Sequence, residues 1–149
     1  MRVQPIIYLP RIITECPVPM YGGQIPAGFP SPAADHQEQP IDLNRELIPH
    51  PDSTFLVRAS GHSMTGAGIF DGDLLVVDRS LTAKDGYIII ASVYGELTVK
   101  RLSIRTERGN KQYVLCAEHP DYPEIYMPLE DSVIWGVVRH TVRDLLNSK

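Results

Sequence analysis

The spacing of hydrophobic residues changes near residue 52 of the chain. Beyond that point, short runs rich in valine, isoleucine, tyrosine and threonine alternate with turn residues such as Asp71-Gly72 and Asp85-Gly86. Runs of this composition between turns are typical of β-strands. We predict seven strands, over Thr54–Ser60, Asp73–Asp78, Tyr87–Tyr94, Glu96–Arg105, Gln112–Ala117, Glu124–Leu129 and Val133–Val142. Tyr94-Gly95 is predicted to form a hairpin tip. The pattern therefore predicts a mostly β fold of short, mainly antiparallel strands.

The first 51 residues follow a different pattern, with no sustained helical period. They hold ten of the 13 prolines of the chain. Proline fixes its own φ and biases the preceding residue towards extended conformations. We therefore predict an extended, irregular N-terminal arm. The exception is Ile41–Ile48, whose pattern permits one short helix, with Asp42 as its cap and Pro49 ending it.

Composition and charge exclude several classes of protein. The chain has 149 residues, which suggests one domain with a tail, and a net charge of −4, which argues against direct binding of nucleic acid through phosphate contacts. No apolar stretch approaches the roughly 20 residues that span a membrane, and no signal peptide is visible. Cys16 and Cys116 lack the spacing of a disulfide framework or a zinc site, so we expect a reducing, cytoplasmic compartment and passive thiols.

A serine just after the first predicted strand is the first candidate for chemistry. Ala59–Met64 reads ASGHSM, so Ser63 lies in a turn that contains glycine. One interpretation is an ordinary turn serine. The other is a nucleophile, with nearby backbone N–H groups, those of Ser63 and Met64, facing an oxyanion.

Histidine is the first base to consider for this serine, and the chain has five: His36, His50, His62, His119 and His140. His62 is the chain neighbour of Ser63, so in extended geometry the two side chains point apart. His36 and His50 lie in the proline-rich arm. No histidine has an obvious acidic group to orient it, so the sequence does not favour a Ser-His-Asp arrangement.

Lysine is the alternative base. Lys100 alternates with Thr98, Leu102 and Ile104 on one face of a predicted strand, in largely apolar company. A lysine has an ordinary pKa of about 10.4 and cannot accept a proton at pH 7 unless burial lowers that pKa. A solvent-facing strand lysine and a buried catalytic lysine therefore both stay open.

Three aspartates, Asp71, Asp73 and Asp78, bring carboxylates into one short stretch and could suggest a metal site. A turn that leads into a strand explains them more simply. We therefore expect neither a metal nor another cofactor.

Five segments occur together in a characteristic order: GFPSPAAD (residues 28–35), IDLN (41–44), ASGHSM (59–64), DGDLLVVD (71–78) and GELTVKRL (95–102). They resemble the UmuD-like SOS mutagenesis proteins of the LexA-like, self-cleaving serine peptidases, over roughly residues 26–142. The resemblance implies a LexA-like peptidase β fold in which Ser63 is the nucleophile and Lys100 the general base. It also implies that the chain cuts itself between Ala27 and Gly28. Residues 1–27 would then be a cleavable arm, residues 28–51 a retained extended segment, and residues 52–149 the peptidase-like domain.

The same resemblance implies a set of partners. The trigger of cleavage would be a RecA filament on single-stranded DNA. The trimmed protein would be a homodimeric accessory subunit of a UmuC-like translesion DNA polymerase. No sequence-specific DNA binding is expected, because 27 residues with five prolines cannot form the helix-turn-helix domain of the related repressors. The competing hypothesis is a non-catalytic β module that binds a polymerase or a repressor, in which Ser63 and Lys100 are incidental.

Overall fold

A computed structural model of the chain describes residues 1–6, 14–21 and 37–147. The chain divides into two compact units. One consists of Met1–Arg11 together with His50–Lys149, and the other of Ile12–Pro49. The predicted cleavage site Ala27–Gly28 and His36 lie outside the described residues.

Antiparallel strands dominate the described part of the chain. The strands are β1 (Arg2–Ile6), β2 (Pro17–Tyr21), β3 (Gln37–Asp42), β4 (Thr54–Ser60), β5 (Leu74–Asp78), β6 (Ile88–Val93), β7 (Glu96–Glu107), β8 (Asn110–Cys116), β9 (Ile125–Tyr126) and β10 (Ser132–Val142). The larger unit contains one sheet with the order β1-β4-β5-β10-β6-β7-β8-β9, and β1 also pairs with β7. The six strands from β1 to β7 in that order thus form a closed ring.

The predicted mostly β fold is confirmed, and each of the seven predicted strands is present as one of β4 to β10. The hairpin between β6 and β7 turns at Tyr94 and Gly95, whose φ angles are +50° and +80°. Two consecutive positive φ values are what a tight two-residue turn between twisted strands requires. Local composition therefore located these elements correctly.

The proline-rich arm is more ordered than predicted in its described parts. Its first residues form β1, which pairs with β4 from Arg2↔Ser60 to Ile6↔Leu56. In the smaller unit, β2 pairs with β3, and a short helix α1 (Leu43–Leu47) follows. The predicted cap is confirmed, because Asp42 Oδ1 accepts a hydrogen bond of 3.1 Å from the N–H of Asn44. Proline favours extended backbone, and the described prolines of the strands satisfy that preference inside a sheet.

Buried apolar side chains of the larger unit form two clusters. One contains Met1, Val3, Phe55, Val57, Ala59, Met64, Ile69, Leu75, Val77, Ile90 and Val99. The other contains Ile89, Ala91, Leu102, Leu115 and Val137. The first cluster includes the residue that follows Ser63 and the residue that precedes Lys100, so core packing fixes the backbone on both sides of the candidate site. No helix in the described ranges has the length and apolar character needed to cross a lipid bilayer.

Candidate active site

The backbone places Ser63 on a buried turn directly after β4. The turn begins at Gly61, whose φ of +95° is strained for any residue with a side chain. The N–H of Gly61 donates to Asp71 Oδ1 at 2.8 Å, and Met64, which is fully buried, anchors the far side of the turn. The Ser63 side chain is therefore held in one position, with no exposed surface.

Lys100 reaches the same point from the middle of β7. Its Nζ lies 3.0 Å from Ser63 Oγ and 3.1 Å from Thr98 Oγ1, and the residue is only 4% exposed. The two side chains that sequence reasoning singled out, 37 residues apart, are thus in direct contact. The solvent-facing interpretation of Lys100 is wrong, because the closed ring of strands turns this face of β7 inward.

Burial changes the acid–base chemistry of Lys100. It lowers the pKa of the Lys100 ammonium group below its ordinary value, while a hydrogen bond with the amino terminus acts in the opposite direction. The charged form loses more solvation on burial than the neutral form, which is the physical cause of the main effect. A neutral lysine in contact with a serine hydroxyl is suited to accept the serine proton.

The amino terminus of the chain occupies the same site. The α-amino group of Met1 donates a short hydrogen bond to Ser63 Oγ. The Met1 carbonyl accepts hydrogen bonds from the N–H of Val99 at 3.2 Å and from Thr98 Oγ1 at 2.9 Å. Ser63 Oγ therefore has two nitrogen neighbours, Lys100 and Met1. Nothing in the sequence indicated the second one, because the contact depends on the pairing of β1 with β4.

A second backbone segment supports the turn that carries Ser63. The N–H of Glu118 donates to the Ser63 carbonyl at 2.8 Å, and the N–H of Gly66 donates to the Glu118 carbonyl at 2.9 Å. The Glu118 side chain accepts a short hydrogen bond from Arg101 Nε, next to Lys100 in the chain. Sequence reasoning missed Glu118, Gly66 and Arg101 in this role, since no local pattern links residues so far apart.

Gly66→Ala should disturb this support. A Cβ atom at Gly66 would lie 2.6 Å from the Glu118 carbonyl oxygen, a contact that forces the backbone to move. We expect a loss of about 1–3 kcal/mol in the free energy of unfolding. We also expect cleavage to slow by about 10²-fold, since a shift of about 1 Å at a reacting group has such an effect. Urea unfolding and the rate of self-cleavage measure the two quantities.

Gly68→Ala is the matched control for this prediction. Gly68 has a φ of +82°, but a Cβ atom there would meet nothing within 4 Å. The variant should lose stability through backbone strain, by about 1–2 kcal/mol, while its cleavage rate stays close to that of the wild type. Equal cleavage rates in the two variants would contradict the supporting role of Gly66.

The histidines take no part in the described contacts of Ser63. The sequence showed no obvious acidic group to orient a histidine, but His50 Nδ1 lies 2.6 Å from Asp78 Oδ2, and His119 Nδ1 lies 3.8 Å from Asp121 Oδ2. Ser80 Oγ contacts His50 Nδ1 at 3.3 Å, so the serine and the carboxylate share one ring nitrogen instead of using one nitrogen each. That geometry does not match a Ser-His-Asp relay, which uses both ring nitrogens.

The remaining candidates have structural partners. Asp73 pairs with Arg143 at 2.7 Å. Burial by itself raises the pKa of Asp78, but hydrogen bonds from Ser80, His50 and Ser53 lower it to about 2. Asp73 and Asp78 therefore stabilise the fold. Burial raises the pKa of the Cys116 thiol, which reduces its reactivity.

The other described histidines lie away from carboxylate–serine contacts of this kind. His62 lines a cavity of about 260 Å³ beside Met1 and Tyr122. In the described residues, no group of three or more potential ligands could hold a metal ion. His119 packs edge-on against Tyr122, and His140 lies on β10.

Comparisons of the sequence with known proteins give several matches over most of the chain. A family model described as Peptidase S24-like matches residues 19–139. Protein MucA of Salmonella typhimurium is 44% identical over 127 residues, which is 84% of each chain. Protein ImpA of Escherichia coli is 44% identical over 124 residues, 83% of this chain and 82% of ImpA. The LexA repressor of Ectopseudomonas mendocina is 39% identical over 123 residues, 81% of this chain and 58% of the repressor.

Proposed function

The chain belongs to the Peptidase S24-like family, and from that premise we propose that Ser63 and Lys100 cut the chain itself between Ala27 and Gly28. The observation that carries the proposal is the contact of 3.0 Å between Lys100 Nζ and Ser63 Oγ at a buried site. The family consists of LexA-like self-cleaving serine peptidases, and MucA and ImpA are UmuD-like members. The roles of Ser63 and Lys100 and the position of the cut are proposed on the basis of that membership.

The first half of the proposed reaction transfers the acyl group of Ala27 to Ser63 Oγ. Ser63 Oγ attacks the carbonyl carbon of Ala27 while its proton moves to Lys100 Nζ, and the negative charge develops on the Ala27 carbonyl oxygen. The backbone N–H groups of Ser63 and Met64 are the proposed donors to that oxygen. The carbon–nitrogen bond then breaks, and Lys100 returns the proton to the amino group of Gly28 as it leaves.

Water completes the reaction. A water molecule attacks the ester between Ala27 and Ser63, its proton moves to Lys100, and the ester bond breaks with the proton returned to Ser63 Oγ. The products are residues 1–27 with a new carboxyl terminus and residues 28–149 with a new amino terminus. Because the substrate is tethered to the peptidase domain, its local concentration is high without a large substrate pocket.

The residues around the cut suit this role. Ala27 and Gly28 place almost no side chain beside the scissile bond, so that bond can enter a narrow site. Pro26 and Pro30 favour extended backbone on either side, the conformation in which a peptide binds along a sheet edge.

The partners are proposed from the resemblance to UmuD-like proteins. A RecA filament on single-stranded DNA would favour the state in which the cut site is bound and Lys100 is neutral, which is a population shift rather than added chemistry. The product, residues 28–149, would act as a homodimeric accessory subunit of a UmuC-like translesion polymerase. The net charge of −4 agrees with a protein that reaches DNA through partners.

Intact-mass spectrometry of the purified full chain tests the proposal. With RecA, ATP and single-stranded DNA we expect two new masses, those of residues 1–27 and 28–149, and RecA without DNA is the control. The isolated product should then co-elute with a UmuC-like polymerase in gel filtration. A chain that stays at full length with RecA and also at pH 10 would instead be a non-catalytic interaction module. Masses from another cut would overturn the assignment of Ala27–Gly28.

A further inference from the structure

The groove between β4 and β7 already holds an extended peptide, the first residues of the chain itself. β1 pairs with β4 over five residue pairs and with β7 at Arg2↔Thr98. The Met1 carbonyl accepts from the Val99 N–H and from Thr98, and the Arg2 carbonyl accepts from Ser60 Oγ at 2.9 Å. The main chain of this peptide is therefore hydrogen-bonded on both sides.

Side chains fix the position of this peptide as well. Met1 and Val3 are each only 7% exposed and belong to the apolar cluster that contains Val57, Ala59 and Val99. Residues at alternate positions of a strand point to one face, so residues 1 and 3 point into the domain together. The groove thus selects an extended peptide with apolar side chains at its first and third residues.

The amino-terminal end of this peptide contacts Ser63 Oγ, the oxygen proposed to attack the scissile bond. Ser63 Oγ accepts hydrogen bonds from both Lys100 Nζ and the α-amino group of Met1. Burial, and then the neighbouring Lys100, lower the pKa of the Met1 amino group to about 5, so it binds uncharged at pH 7. A carbonyl carbon must approach a nucleophile to about 3–3.5 Å before attack. The space in front of Ser63 Oγ that such a carbon needs is taken by the Met1 nitrogen.

We propose that residues 1–6 are an inhibitory strand, which binds the groove between β4 and β7 and must leave before the scissile bond reaches Ser63. The groove is then a binding site for an extended peptide with apolar first and third residues. The inhibitory role rests on the proposed function of Ser63 and Lys100, but the binding of β1 does not. Any trigger of cleavage has to release this strand as well as present the scissile segment.

Val3→Asp in the full chain tests the inhibitory role. A carboxylate at this buried position disfavours binding of β1, because an unpaired charge loses its solvation there. Self-cleavage should accelerate at least about tenfold, since the rate scales with the fraction of molecules whose site is free. Val133→Asp is the matched control: the same substitution at a valine of β10 that is 60% exposed should leave the rate unchanged.

Amide hydrogen exchange at pH 7 without RecA reports the binding of β1 independently of cleavage. The Val99 N–H donates to the Met1 carbonyl, so it should lose protection in Val3→Asp. The Val77 N–H, on the central strand β5, should stay protected and shows that the domain is folded. If Val77 is also exposed, Val3→Thr, which keeps the side-chain shape and adds one hydroxyl group, takes the place of Val3→Asp.

The outcomes separate the two proposals. Faster cleavage together with loss of Val99 protection supports the inhibitory strand. Loss of Val99 protection with an unchanged or slower rate overturns it, and so does Val99 protection that is unaffected by the substitution. Absence of cleavage in every chain, wild type included, at pH 10 and with RecA would refute the Ser63–Lys100 proposal instead, while Val99 exchange would still decide whether β1 binds the groove.

Discussion

Ser63→Ala is expected to abolish self-cleavage under every condition in which the wild-type chain is cut. The substitution removes the only atom proposed to attack the Ala27 carbonyl. Loss of the nucleophile in serine peptidases reduces the rate by about 10⁴–10⁶-fold. Because Ser63 is fully buried and alanine fits within its volume, the fold should persist. Mass spectrometry after incubation at pH 10 measures the cleavage, and circular dichroism checks the fold.

Ser103→Ala is the matched control for this loss. Ser103 lies on the same strand as Lys100, and its Oγ accepts a hydrogen bond of 3.3 Å from Arg105 Nε rather than contacting the site. This variant should cleave at the wild-type rate. A cut at Ala27–Gly28 that continues at the same rate in Ser63→Ala as in Ser103→Ala would refute the nucleophile assignment.

Local pattern was sufficient to predict the strands of the larger unit from β4 onward. Short runs of β-branched and aromatic residues between Asp-Gly turns are decided by interactions within a few residues, and so is the hairpin at Tyr94-Gly95. The cap of α1 at Asp42 is likewise local. These elements could therefore be located without knowing which strand pairs with which.

Contacts between distant residues could not be predicted in the same way. The burial of Lys100 depends on which face of β7 the sheet order turns inward, and residues 1–6 show no local sign of pairing with β4. The Ser63 turn is held by Glu118, which lies 55 residues further along the chain. Strands that are neighbours in the sheet need not be neighbours in the sequence, as β10 shows by lying between β5 and β6. The resemblance to a family, and not the local pattern, predicted that Ser63 and Lys100 act as a pair.

The pH dependence of self-cleavage should follow the deprotonation of Lys100. Burial lowers the Lys100 pKa below its ordinary value, but the ammonium form still has to lose its proton before it can act as a base. Without RecA, the rate should rise about tenfold per pH unit while most Lys100 is protonated, and level off above its pKa. Rates from pH 6 to pH 11, by quantifying the two fragments, test this. A profile that stays flat over the whole range from pH 6 to pH 11 would contradict a lysine base.

Two substitutions separate the base from the fold. Lys100→Arg keeps a positive charge that does not deprotonate in this range, and Lys100→Met keeps the length of the side chain without any amine. Both should lose cleavage at every pH.

The stability of the wild type should also depend on pH. Lysine in the unfolded chain binds its proton more tightly than the buried Lys100 does, so the free energy of unfolding should rise with pH from the folded pKa of Lys100 up to its ordinary value.

Lys100→Met lacks this titration, so its stability should not follow the same rise. Relative to the wild type it should be most stabilised at pH 7, where the buried ammonium form is penalised, and lose that advantage towards pH 10. Urea unfolding at both pH values measures the difference. A difference that stays constant with pH would show that Lys100 is not penalised by burial, and the argument for a neutral lysine at the site would then fail.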